Sequence, residues 1–318
     1  MYRVFDLLNG SRVTGEYAEK ALAQGVTAIQ VTVNNFSSIR PYPTLHEAMS
    51  ELAAIRAHYA NVGAVTHLIE NFGDFEKAEK AGKLGIVLGY QNVPGIGTDL
   101  KILELFSALG VRVIHIAHNN RGIYADGCAE PGNAGLSNLG RELIAELNRL
   151  HMIVDVSHTG ERSSIETIER SSQPVCVTHA NSFSVCANVR NKSDAVLDAL
   201  KANDGVIGVC YLTPMVSIKR LDQTHTDMTA HVVHIRNRIG ARHIGIGSDF
   251  IAGQPPERYQ EFMRKPEIYG TWPWRFPIAD LEDQQRFLAS LRGFGCSEEE
   301  IEGIAANNFM RVFKRVLH

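Results

Sequence analysis

The chain has 318 residues, 44% hydrophobic and 21% charged, with a formal net charge of −3 and a pI near 6.5. That is ordinary globular composition, and the absence of any dense basic tract argues against nucleic acid as a partner. No apolar run approaches the roughly 18 residues needed to span a bilayer. The opening "MYRVFDLLNG" is too short and too polar for a signal peptide, so the expected location is cytoplasmic.

Short apolar runs alternate with helix-period segments along the chain. Strands are predicted over Arg3–Leu8, Ala28–Val33, Leu84–Tyr90, Arg112–His118, Met152–His158, Pro174–His179, Val206–Leu212 and His243–Phe250. Most are continuous apolar runs, as expected of strands buried on both faces. Between them, "TLHEAMSELAAIRAHYA" and "DLKILELFSALG" have helical periodicity, and "LSNLGRELIAELNRL" puts Leu139, Leu143, Leu147 and Leu150 on one stripe. "GERSSIETIERSS" is the short helix between the sixth and fifth strands. Near the end, "HIGIGSDF" uses Gly245 and Gly247 to let the last strand pack closely.

Eight strands alternating with helices predict an α/β fold, a single (β/α)8 TIM-like barrel covering 1–318. The rival, an open doubly wound sheet, lacks its glycine-rich phosphate turn after the first strand. The least regular segment runs from Gly253 to Ile278 and holds both tryptophans, which reads as a long loop covering one end of the barrel. The five cysteines include no CxxC pair, so they are expected to be reduced and structural.

Barrel active sites sit where the strands end. Read in order, the strand ends are Asp6, Asn34-Asn35, Gln91-Asn92, His118-Asn119, His158, His179, Tyr211 and Asp249. Neutral imidazoles and carboxylates converging in a barrel mouth are the usual ligand set for a zinc-type ion, which yields hydroxide near neutral pH. Asp249 is then placed to act as general base, His118 to polarise a carbonyl, and Arg190 to pair with a substrate carboxylate through its planar fork. Asn119 and Tyr211 are candidate substrate contacts. His115 reads as packed in the wall, and His225, His231 and His234 as outside the site.

The segments "GRELIAELNRLHMIVDVSHTG", "PVCVTHANS", "VRNKSD", "HIGIGSDF" and "IAANNFMRVF" resemble the membrane (renal) dipeptidase family of barrel metallopeptidases. The resemblance implies that His158 and His179 bind the second of two zinc ions, that His118 lies near the scissile carbonyl, that Arg190 contacts the substrate carboxylate, and that Asp249 transfers protons. It also implies a homodimer. Two departures stand out. The family carries His-x-Asp after its first strand, where this chain has Leu8 and Gly10, and a metal-bridging glutamate after its third, where this chain offers Gly89, Tyr90 or Gln91. Two dications without a bridging carboxylate repel at short range. The expected centre is therefore one zinc ion on His158 and His179, helped by Gln91 or Asp6, or no ion at all. The first case is an amide hydrolase for a small carboxylate-bearing substrate. The second is a metal-free barrel that binds a small molecule or runs acid/base chemistry through His118 and Asp249.

Overall fold

The computed structural model describes residues 1–33, 43–217, 222–254, 264–270 and 276–317. Among the described residues nine strands form one all-parallel sheet: β1 Val4–Asp6, β2 Val26–Thr32, β3 Thr66–Leu68, β4 Leu84–Tyr90, β5 Val111–His115, β6 Ile153–Asp155, β7 Cys176–Val177, β8 Val206–Val209 and β9 Ile244–Ile246. Their order is β2-β1-β9-β8-β7-β6-β5-β4, and β2 pairs again with β4, which closes the ring. These eight are the strands predicted from the apolar runs, so the (β/α)8 barrel is present and the open sheet is excluded. The ninth, β3, pairs only with β4, through Thr66↔Leu84 to Leu68↔Ile86. Its three residues "THL" offer too little apolar pattern to be seen in the sequence.

The strands are shorter than their apolar runs suggest. β6 and β7 stop at Asp155 and Val177, before the histidines. The ladder ends there because Ser157 and Thr178 bond the Asp155 side chain. Ser157 N and Oγ donate to Asp155 Oδ1 at 2.8 and 2.6 Å. Helices follow the stripes. The segment Asn138–Arg149 buries Leu143, Ile144 and Leu147 and starts at a Ser137 cap; Leu45–Asn61 starts at a Thr44 capping box. The short helix predicted between the histidine strands is Glu161–Arg170.

The N-terminal end of the barrel is closed by the helix Asn308–Val316. Phe309, Phe313 and Val316 of the helix Asn308–Val316 join Phe5, Ala28, Val87, Val113, Ile153, Cys176 and Val206 in one buried cluster. Phe5 meets Phe313 edge-on, with ring centroids 5.0 Å apart. Gly245 makes room for this plug: a Cβ there would lie 2.2 Å from Phe309 Cε2. At Gly247 a Cβ would lie 1.8 Å from the Thr178 carbonyl oxygen. Both glycines are thus required by close approach, as the sequence suggested.

Asn34-Asn35, both tryptophans and most of the segment 253–278 lie outside the described residues. The five cysteines are free thiols, and among the described residues no helix is long and apolar enough to cross a membrane. The plug gives a direct test of the closed-barrel packing. Phe309→Ala is expected to cost about 3–5 kcal/mol of unfolding free energy, read from denaturant titration, because Phe309 is fully buried and the rigid barrel cannot collapse onto the void.

Candidate metal centre at the barrel mouth

The site is built on a buried carboxylate that the sequence reading missed. Asp155 is 0% exposed and accepts from Ser157 N and Oγ, from Thr178 N at 3.2 Å and from Thr178 Oγ1. His115 Nε2 lies 2.5 Å from its Oδ2, the oxygen that Thr178 Oγ1 also bonds. Burial alone would raise the Asp155 pKa, but His115 and these donors hold it below the usual carboxylate range. A signal was available: an aspartate inside a strand buried on both faces has no apolar role. His115 does pack in the wall, as expected, but it does so as this carboxylate's partner.

Asp155 fixes the turns from which His158 and His179 project. Their Nε2 atoms converge to 2.9 Å. Counting protons shows what that contact is. His158 Nδ1 lies 2.8 Å from Asn119 Oδ1, which can only accept, so Nδ1 carries the proton. His179 Nδ1 lies 2.9 Å from Thr178 Oγ1, whose single proton goes to Asp155, so this Nδ1 also donates. Burial, then the nearby Arg190 charge, holds both imidazole pKa values well below 6.5. Both rings are therefore neutral, and each Nε2 is a proton-free acceptor facing the other, with Arg190 Nη2 3.3 Å from that of His158. Two acceptors at this distance repel unless a cation lies between them. The separation is within the span of two metal–nitrogen bonds of about 2.0–2.1 Å. The hydrogen bonds behind each ring are those that orient metal-binding histidines. The pair thus fits one ion.

At Leu8 and Gly10, where the resemblance places ligands for another ion, the chain offers none, although among the described residues His115, Asp155 and His179 bring three ligand atoms within 4.8 Å of one another. Leu8 is fully buried and apolar, and a Cβ on Gly10 would lie 3.2 Å from both Ile251 Cγ2 and the Phe250 carbonyl. Asp6, expected as a helper ligand, is committed elsewhere. It accepts from Ser248 N and Oγ at 2.8 and 2.5 Å, from Asn9 Nδ2 at 3.0 Å and from Leu8 N at 3.4 Å, which locks the end of β1 to the end of β9. Gln91 follows β4 and is 5% exposed. It brings no charge to the mouth.

The remaining candidates divide. His118 stacks on His158, with centroids 4.1 Å apart and planes 19° apart. Asp249 follows β9 with φ 55°, a left-handed conformation uncommon for a non-glycine residue, and is 9% exposed. Its Oδ1 would lie 3.7 Å from a Cβ on Gly10. Arg190 is 1% exposed. It donates to the Ser157 carbonyl, to the His179 carbonyl at 3.3 Å and to His158 Nε2 at 3.3 Å. Among the described residues its partners include no carboxylate, and its Nε has no partner.

Two further candidates lie deep in the wall. The Asn119 side chain is bonded within the protein, with Oδ1 accepting from His158 and from Cys128 Sγ at 3.3 Å, and Nδ2 donating to Tyr269 Oη at 2.9 Å. Tyr211 is fully buried, with its ring centroid 5.5 Å from that of Phe250 and 6.0 Å from that of Phe287, and its Oη has no hydrogen-bond partner among the described residues.

A closed parallel barrel with a histidine pair at its C-terminal mouth defines the architecture of metal-dependent barrel hydrolases. The family model for membrane dipeptidases (peptidase family M19) matches residues 15–269, and the chain belongs to that family. It is 30% identical over 279 residues to dipeptidase tcpJ of Claviceps purpurea, covering 83% of this chain and 61% of that one. It is 26% identical over 276 residues to dipeptidase 3 of Rattus norvegicus, covering 83% and 52%. The chain therefore spans less than two thirds of these relatives' length. Among solved structures, an amidohydrolase from Pseudomonas aeruginosa superposes with a TM-score of 0.89 at 27% identity, covering 99% of this chain and 97% of that one. A metallopeptidase from Rhodobacter sphaeroides, liganded with a phosphinate mimic of L-Ala-D-Ala, shares the fold with a TM-score of 0.79 at 18% identity over 99% of each chain.

The Asp6 lock has a pH signature. Burial, the leading cause, pushes its pKa up to about 7 against the pull of its donors. Between the ordinary carboxyl range and pH 7 the folded state keeps a proton that the unfolded chain has lost. This contribution is complete at low pH and is lost as pH rises through about 7. Asp6→Asn is expected to flatten the wild-type fall in melting temperature between about pH 4 and pH 7.

Proposed function

We propose that the chain is a one-metal amide hydrolase of the membrane dipeptidase type, acting on a small substrate that bears a carboxylate. The observation that carries this reading is the convergence of two proton-free Nε2 atoms on the buried His158 and His179. These two residues would hold a zinc-type ion, which when bound supplies Lewis acidity near neutral pH. The chain's own residues do the rest. Asp249, at the end of β9, takes a proton from the attacking water and returns it to the leaving amine. His118 donates to the oxygen of the scissile carbonyl as negative charge develops there. Arg190 offers its unpartnered Nε and its uncompensated charge to the substrate carboxylate. The absence of ligands at Leu8 and Gly10 and of a carboxylate at Gln91 supports one ion rather than two.

One observation favours a second reading. Arg190 Nη2 already donates to His158 Nε2, so the guanidinium can serve as the cation that relieves the pair. On that reading the barrel is metal-free, and binds a small molecule or uses His118 and Asp249 for other proton transfers.

Elemental analysis of tag-free protein after zinc supplementation separates the two. The first reading expects about one tightly held ion per chain, abolished in His158→Ala and in His179→Ala. Two ions per chain, or none, would overturn it. For any amide substrate that is turned over, Asp249→Asn is expected to lower kcat about 10²–10⁴-fold while leaving the fold intact, since asparagine matches its size and tolerates the left-handed backbone there. Activity within a few-fold of wild type would remove Asp249 from the role of base.

A further inference from the structure

Asn119, which orients His158, is itself held from a distant part of the chain. Its Nδ2 donates to Tyr269 Oη at 2.9 Å, across 150 residues of sequence. Tyr269 closes the short helix Pro266–Tyr269. It is 6% exposed and belongs to a buried cluster with Cys210, Leu212, Met215 and Ile268. A second tie anchors the same turn, since Asn188 Nδ2 donates to the Ile268 carbonyl at 2.8 Å. Tyr269 is thus a fixed post, and Asn119 stands between it and His158.

We propose that Tyr269 is a positioning residue for the metal centre: by accepting from Asn119 Nδ2, it keeps Asn119 Oδ1 turned toward His158 and so holds that ring in the tautomer whose Nε2 is free to bind a cation. The argument is one of hydrogen-bond matching. Asn119 is 0% exposed, so an Nδ2 without an acceptor has no water to turn to and carries a desolvation cost of its own. A side-chain amide relieves that by rotating, which presents N–H rather than oxygen to His158 Nδ1. The Nδ1 must then accept, the proton moves to Nε2, and a protonated Nε2 cannot be a ligand. Cys128 Sγ, 3.3 Å from Asn119 Oδ1, supports the same amide orientation as a weak donor. Asn119 has φ 59°, a left-handed conformation that asparagine and aspartate tolerate better than most residues. Aspartate is therefore a usable replacement there, and its two equivalent acceptor oxygens need no outside group to choose between them.

This inference rests on the one-metal reading, and the test separates the two. Zinc affinity is measured by competition with a chromogenic chelator, alongside the melting temperature of zinc-free protein. Tyr269→Phe keeps the ring and its packing, and is expected to weaken zinc binding about 10-fold or more, as loss of outer hydrogen-bond partners does, with little change in zinc-free melting. In an Asn119→Asp background the same change is expected to cost nothing. Ring-nitrogen NMR of the zinc-free wild type is expected to show His158 with its proton on Nδ1, a result that needs no variant to fold. Wild-type protein that binds no zinc would overturn both readings. Wild-type protein that binds zinc, with Tyr269→Phe binding it equally well or His158 protonated on Nε2, would overturn this one alone.

Discussion

The carboxylate of Asp155 is the interaction on which the site depends. It is fully buried and takes hydrogen bonds from Ser157 and Thr178 while His115 lies against it, so a single side chain ties together the ends of β5, β6 and β7. A buried charge is tolerable only when it is paired and its lone pairs are filled, and here both conditions are met. The consequence is positional. Ser157 and Thr178 immediately precede His158 and His179, so fixing the first two directs the second two. The convergence of the histidine pair is thus produced one layer beneath it.

Two buried cations complete the frame. Arg190 donates to the carbonyls of Ser157 and His179, and Lys192 donates to the carbonyl of Thr159 at 2.7 Å and to Ser164 Oγ at 3.3 Å. Both come from the segment after β7 and grip the turn that carries His158. Burial brings the Lys192 pKa down to about 7, the direction expected of an ammonium taken out of water. Positive charge at the mouth is therefore structural as well as available to an anionic ligand. It also bears on the metal content. A frame that already holds Arg190 against the histidine pair, with Leu8 and Gly10 beside Asp249, has little negative charge with which to stabilise two dications.

The opposite end of the barrel is apolar and does different work. Phe309 and Phe313 fill the space between the strands, and Gly245 admits them. Stability is thus concentrated at the N-terminal face and chemistry at the C-terminal face, the usual division in this fold. Asp6 shows how the mouth is kept in shape without taking part in it. Its carboxylate joins β1 to β9, next to the residue expected to move protons, and its own lone pairs are used by Ser248, Asn9 and Leu8.

Much of this was legible in the sequence. Most barrel strands are runs of apolar residues buried on both faces, so local composition alone located all eight, and the polar residues at their ends marked His118, His158, His179 and Asp249 at the mouth. A three-residue strand such as Thr66–Leu68 carries no such signal, because its pairing with β4 is decided by backbone hydrogen bonds rather than by side-chain type. Tyr211 packs with Phe250 and Phe287 beyond the end of β8, and Asn119 bonds His158, contacts that no local pattern announces. Which polar residues partner one another was decided only by the tertiary structure. Asp6 with Ser248, His115 with Asp155 and Asn119 with Tyr269 are joined across 242, 40 and 150 positions of the chain. Residue type fixes how many hydrogen bonds a group must make, but only the closed barrel brings the distant partners within reach.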